Sequence, residues 1–352
     1  MIRVRGLTVC ILWGLSLSAG AAAGTGHTQW TAEARKDALS RAIVWREPEA
    51  SPEAADLSRP PDRLPDDITC TFKMTPVSGT VRKFTCALPS GELVKVKYAG
   101  PEPHGEVAAS RLLLALGFGA DHVGFVRRVR CQGCPWSPFA TMAAVTLARA
   151  GGLYERVAHS AHAVDFDWVS VERRFEGEQI KNDTVEGWTF HEFASARTAS
   201  PTHADALRLL AVFLAHWDNK SENQRLVCLS GPAGADGRCT TPLAMLQDVG
   251  ATFGPRKVNL PAWRTATIWT DRARCEIGMP DMPHGGATFV PVQVSEAGRR
   301  FLADRLAAFS REQVAALFRG ARFEPRYGAV QDWVHVFRSR VAQIADGPAG
   351  PK

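Results

Sequence analysis

Beyond its first 23 residues the chain has no apolar run near the roughly 20 residues that a membrane-spanning helix needs, which excludes a multi-pass membrane protein. It has no internal repeat. It has little excess charge: 42 Lys and Arg stand against 36 Asp and Glu, net +6, with no dense basic stripe. No nucleic-acid partner is expected on that balance. His191 and His203 have no ligand-like spacing to other histidines, so a zinc site is not expected. What the chain does have is ordinary globular material, 45% hydrophobic and 22% charged. Its 352 residues allow one large domain or two lobes.

Residues 1–23 read as a secretory signal. Arg3 and Arg5 precede the apolar run Leu7 to Leu17, and Ala21-Ala22-Ala23 supplies a small-residue cleavage site near Ala23. An uncleaved anchor is the alternative. The expectation is a secreted or periplasmic protein with no transmembrane segment after cleavage. Cys10 would leave with the signal, and seven cysteines would remain. In an oxidising compartment these read as disulfides. Cys70 and Cys86 flank an apparent hairpin and could pair; Cys228 and Cys239 flank a Gly-rich loop and could pair. Cys131-Gln132-Gly133-Cys134 is a CxxC, open to redox, zinc or structural use. With no second CxxC and no βαβ pattern nearby, a structural bridge is the plainer reading, with Cys275 one candidate partner; seven is odd, so one thiol is left over, and the sequence does not say which.

A short amphipathic helix is expected over 29–45, followed by a Pro-rich linker or surface wrap over 46–67. Thr69 to Met74, Thr80 to Leu88 and Leu93 to Tyr98 read as short strands separated by turn signals. Glu102 to Leu116 reads as a helix closed by Gly117, and further strands are expected near 122–130 and 166–175. The second half reads as mostly helical. Ser200-Pro201 opens a helix that is apolar on nearly every face from Leu207 to Ala215. Ser295 starts another, and Ser310 with Gln313 forms a capping box. Val330, Val334, Phe337, Val341 and Ile344 form the stripe of a last helix. The expected segments are 24–67, a strand-rich 68–175, a helix-rich 176–345 and a tail, 346–352.

The sharpest feature follows the buried helix: His216-Trp217-Asp218-Asn219-Lys220-Ser221-Glu222-Asn223, and after the strand Leu243 to Leu246, Asp248-Val249-Gly250. Phosphoryl transfer needs a carboxylate at the attacking hydroxyl, cations on the phosphates and hard oxygen ligands for a metal. Asp218 is the candidate base, Lys220 a candidate charge neutraliser, and Asn223 and Asp248 candidate metal ligands. H-x-D-x-K-x-E-N followed by D-x-G resembles the protein-kinase catalytic loop and its magnesium-binding motif. The resemblance spans roughly residues 75–255. It implies a bilobal α+β fold, with a small antiparallel β-sheet lobe bearing one helix and a mainly helical second lobe. It also implies ATP with Mg²⁺ or Mn²⁺ as cofactors.

In Leu93-Val94-Lys95-Val96-Lys97-Tyr98 the two lysines share one strand face. The run resembles the kinase V-A-I-K with Lys97 as the ATP lysine, although either lysine could serve. Glu106 on the next helix is the candidate partner, with only eight residues between it and Lys97. No G-x-G-x-x-G is present; Ser78-Gly79-Thr80 and Lys83-Phe84 occupy that place, making Thr80 and Lys83 the candidate phosphate contacts. No A-P-E follows Asp248-Val249-Gly250, and the Asn223 to Asp248 gap reads as a hairpin tied by Cys228 and Cys239. These departures resemble atypical kinases: the HipA-type, phosphoinositide and secretory-pathway kinases. The expected activity is phosphoryl transfer from ATP to a protein, glycan or lipid-headgroup hydroxyl. AMP transfer on the same fold, and a non-catalytic pseudokinase or envelope-binding protein, are the alternatives.

Overall fold

The computed structural model describes residues 30–59, 63–75, 79–148, 162–182, 184–195, 200–231, 238–282 and 285–347. The expected signal segment, Ser78, part of the Cys228–Cys239 loop and most of the tail lie outside them. Helix α1, Ala32–Ser40, starts at Thr31, whose hydroxyl accepts the amide of Ala34. Its Arg35 is buried and donates to Glu192 and to the carbonyl of Gly187. The Pro-rich stretch then runs over the surface, where Gln313 donates to the carbonyls of Pro52, Glu53 and Ala55.

Strand β1, Asp67–Lys73, alternates exposed and buried at every residue, with Ile68, Cys70 and Phe72 inward. Strands β2, Lys83–Ala87, and β3, Leu93–Lys97, continue as an antiparallel meander, and Cys70–Cys86 staples β1 to β2. Helix α2, Glu102–Ala115, is buried from Pro103 to Leu113. It stops at Leu116, beyond which Gly117 takes the left-handed φ of +89° that other residues avoid. Strand β4, His122–Gln132, helix α3, Pro138–Ala148, and strand β5, Ala163–Arg173, complete this half.

These five strands close a barrel in the order β1-β2-β3-β5-β4. Two expectations are corrected here. The sheet is not wholly antiparallel, because β1 and β4 run parallel with Cys70 opposite Cys131. There are also two helices, since α3 follows the CxxC. Strand length explains the closure. β4 has 11 residues against five in β3, so its second half extends past β3 and reaches β1. Closure leaves no exposed edge, which is the usual solution for a small twisted sheet.

Beyond β5 come strand β6, Glu178–Gln179, helix α4, Phe190–Ser195, and helix α5, Pro201–Leu214. Ser200 caps α5 with Pro201 in its first turn, and every residue from Ala204 to Leu214 is buried. Strands β7, Gln224–Cys228, and β8, Pro242–Leu246, form a hairpin closed by Cys228–Cys239. Helix α6, Leu260–Thr265, and strands β9, Trp269–Asp271, β10, Glu276–Ile277, and β11, Val292–Gln293, follow. Helices α7, Glu296–Ala308, α8, Arg311–Gly320, and α9, Val330–Ala345, end the fold. The capping box of Ser310 and Gln313 and the buried stripe on α9 are both present. The second half is not simply helical: it carries the three-stranded sheets β6-β7-β8 and β11-β10-β9. The protein is therefore of mixed α+β class.

The CxxC forms a structural bridge, as expected, but closes on itself as Cys131–Cys134; Cys275, the candidate partner, is the buried cysteine outside the three disulfides and so the thiol left over among the described residues. Three residues of separation suffice because the turn at Gly133, φ +68°, brings the two Cα atoms within 5.6 Å. Three disulfides suit an oxidising compartment. Among the described residues no helix is long and apolar enough to cross a membrane.

Candidate active site

Lys97 ends β3 with its side chain 1% exposed. A lone ammonium buried that deeply would be strongly disfavoured. Three carboxylates surround it: Glu106 of α2 at 2.5 Å, Asp248 at 3.0 Å and Glu172 of β5 at 3.2 Å. They hold the ammonium well above its ordinary range despite burial, so Lys97 stays charged. Burial pushes the Glu106 carboxyl up to about 8 against the pull of Lys97. Glu172 is likewise buried, yet Lys95 and Lys97 hold it down to about 2. Lys97 draws Asp248 well below the usual carboxylate range, and a third of the Asp248 side chain remains open to solvent.

The two lysines of β3 thus have different surroundings. Lys95 points along the same face, pairs with Glu172 at 2.5 Å and keeps 30% of its side chain exposed. Lys97 alone reaches both α2 and Asp248. Lys83 of β2 lies opposite Lys97 in the ladder and is 8% exposed. Burial lowers its pKa, and the charge of Asp248 opposes that shift. Thr80 is exposed at the turn before β2 and is not among the side chains these ion pairs gather.

The loop after α5 begins at Ala215, which takes a left-handed φ of 54° as the helix C-cap. The chain then turns under the segment carrying Asp248: Trp217 donates its amide to Ala251, and Phe253 donates to Leu214. Lys220 lies 3.3 Å from Asp218. The Asn223 side-chain amide donates to the carbonyl of Asp218 at 2.7 Å, which leaves its oxygen as the remaining polar atom. The amide of Gln247 donates to the carbonyl of Asn223, placing Asn223 next to the residue before Asp248. Asn223 and Asp248 are hard oxygen donors of the kind Mg²⁺ and Mn²⁺ prefer, so the donor set fits such an ion. The one cluster of His, Cys, Asp and Glu found close enough to hold a metal among the described residues is Cys70, Cys86 and Cys131. All three sulfurs are in disulfides, so that cluster offers no thiolate.

Three contributors escape sequence reasoning, and a fourth, His216, enters it only as the first letter of the loop motif. Glu172 faces Lys95 across the β3–β5 ladder; a glutamate at an inward position of an apolar strand was its only signal. Asn219, 2% exposed, accepts the amides of Thr288 and Phe289 and donates to the carbonyl of His216, fixing the loop. His216 is fully buried, and burial pushes its imidazole down to about 4. Gly105 lets α2 approach the Asp248 segment: a Cβ there would stand 2.6 Å from the carbonyl oxygen of Gly250.

No family model matches the chain, and no curated protein does. Among solved structures the chain is similar to the Helicobacter pylori proinflammatory kinase CtkA, at 10% identity and a TM-score of 0.40, over 80% of this chain and 94% of that one.

Proposed function

We propose that this protein transfers the terminal phosphoryl group of ATP to a hydroxyl-bearing acceptor, with Mg²⁺ or Mn²⁺. The observation that carries this reading is the convergence on buried Lys97 of Glu106 from α2 and Asp248 from the loop after β8. The hydrogen bond that Lys97 donates to Glu106 fixes the ammonium where it can meet phosphate oxygens, and Lys83 adds a second cation on the same face. Asp218 orients the acceptor hydroxyl and takes its proton as the new phosphorus–oxygen bond forms and the bond to the ADP oxygen breaks. Lys220, beside Asp218, offsets charge on the transferred group. Asn223 and Asp248 would hold the metal ion, which supplies electrostatic stabilisation of the phosphates. The contact between Lys97 and Asp248 must loosen for both to serve, and the open third of Asp248 leaves room for that.

The test is a melting experiment on the oxidised protein with ATP and either metal, run beside Asp248→Ala, followed by transfer from labelled ATP with Asp218→Ala. A ligand that binds only the folded state raises the melting temperature. A metal-dependent rise is expected in the wild type and not in Asp248→Ala. Asp218→Ala should keep the rise and lose transfer. No rise with millimolar ATP would overturn the reading.

A further inference from the structure

Away from the Lys97 cluster, a cavity of about 320 Å³ lies among α2, β4, β5 and the end of α8. None of its lining residues belongs to the cluster around Lys97. Six arginines line it, Arg59, Arg63, Arg111, Arg173, Arg319 and Arg322. Four of them also line an adjoining larger cavity whose wall includes Asp56 and Glu92, whereas Arg319 and Arg322 do not. Two of them have carboxylate partners nearby: Arg63 pairs with Asp66, and Arg173 with Glu92 at 2.7 Å. Arg59 and Arg111 share the influence of Asp56.

Arg111 is 6% exposed. It donates one nitrogen to the carbonyl of Ser58 at 2.6 Å, and its buried Nε has no hydrogen-bond partner among the described residues. Its place is cut to shape, because a Cβ on Gly320 would stand 2.3 Å from its guanidinium. Burial pushes its pKa down to about 10, a sign that its charge is poorly compensated. Arg322 sits over Trp168, its guanidinium carbon 3.7 Å from the ring centroid, and no ion pair is found for it or for Arg319 among the described residues. Stacking fixes a guanidinium plane while leaving its N–H edge free to donate.

Six guanidiniums with fewer carboxylates than charges to match them repel one another and leave donors unanswered. We propose that this cavity binds an oxyanion of the phosphate or sulfate class, free or carried as an ester, held by Arg111, Arg319 and Arg322. Planar guanidiniums match the paired oxygens of such groups in two-point contacts. The volume falls at the lower end of the range for small-molecule pockets, and exceeds what one bare ion needs.

The experiment titrates the oxidised full chain with inorganic phosphate, and separately with glycerol 2-phosphate, at constant ionic strength, reading the melting temperature and calorimetric heat. Three variants run alongside: Arg319→Gln, Arg319→Gln with Arg322→Gln, and Lys83→Gln. Lys83→Gln reports on any phosphate held at the other site, so the arginine-dependent part of the wild-type response should persist in it. The double variant should bind at least about tenfold more weakly, the loss expected for charge-assisted hydrogen bonds worth about 1.5–3 kcal/mol. Arg319 is exposed, so the single variant keeps the test valid if the double variant does not fold. Equal response to both probes identifies a free oxyanion, and a stronger response to the ester identifies a carried one. Absence of binding at about 20 mM, or binding that survives the arginine changes and vanishes in Lys83→Gln, would overturn the proposal.

Discussion

Glu172→Gln isolates one carboxylate of the Lys97 cluster. Glu172 is 4% exposed, accepts from Lys95 at 2.5 Å and lies 3.2 Å from Lys97. Removing one partner of a buried pair typically costs about 3–5 kcal/mol. Two features of this site place the loss near the lower end. Lys97 keeps Glu106 and Asp248, and Lys95 is exposed enough to turn to water. Linkage leads to a similar size. A carboxyl held at about 2, against 4.5 when unperturbed, contributes about 3 kcal/mol at neutral pH. The sign follows from the lowered folded-state value: the contribution is complete above about pH 4.5 and is lost as pH falls toward 2. Urea unfolding of wild type and variant should therefore differ by about 3 kcal/mol at pH 7, and by less than half of that near pH 3. Adding Lys95→Met to Glu172→Gln should recover part of the loss, since the lysine left without its partner goes too. Equal stability at pH 7, or a difference that does not shrink in acid, would refute the electrostatic account.

The other expectations concern the groups around this cluster. Gly105→Ala gains about 1 kcal/mol of helix propensity but forces a Cβ to 2.6 Å from a backbone oxygen, an overlap costing about 1–3 kcal/mol. Sterics should prevail, with a lower urea midpoint and a smaller response to ATP; a stabilised, fully responsive variant would contradict the packing. His216 has its imidazole pushed down to about 4, so its stabilising contribution is full above about pH 6.5 and is lost as pH falls toward 4. His216→Leu should be nearly neutral at pH 7, since neither ring nitrogen has a hydrogen-bond partner among the described residues, and should flatten the pH 4–6.5 slope. An unchanged slope assigns it to other groups. Cys228→Ser with Cys239→Ser opens a loop with a sequence separation of 11, and calorimetry should register a loss of about 3 kcal/mol. No loss would mean that the β7–β8 pairing holds without its tie.

Much of the local structure was legible because it depends on neighbours in sequence. The cap at Ser200, the capping box at Ser310 and the stop at Gly117 are each decided within a few residues. The loop from His216 to Asn223 and the later Asp248 could be read for the same reason, as spacing on either side of one hairpin. Lys97 could not be chosen over Lys95, since period-two alternation puts both on one face; the choice depends on which one meets α2 and Asp248. The pairing of Cys131 with Cys134, and so the exclusion of Cys275, depended on a turn that spacing alone leaves open.

The amino-acid sequence by itself determined the first three strands, helix α2, the caps at Ser200, Ser295 and Ser310, two of the three disulfides and the spacing of the loop from His216 to Asn223 ahead of Asp248. Tertiary structure alone decided the barrel closure through β1 and β4, the burial of Glu172 beside the lysines, the glycine contact between α2 and Gly250, and the arginine-lined cavity. The division is physical. Backbone periodicity and capping act over one or two turns of chain, whereas an ion pair or a cavity wall joins residues far apart in sequence, whose proximity exists only once the elements have packed.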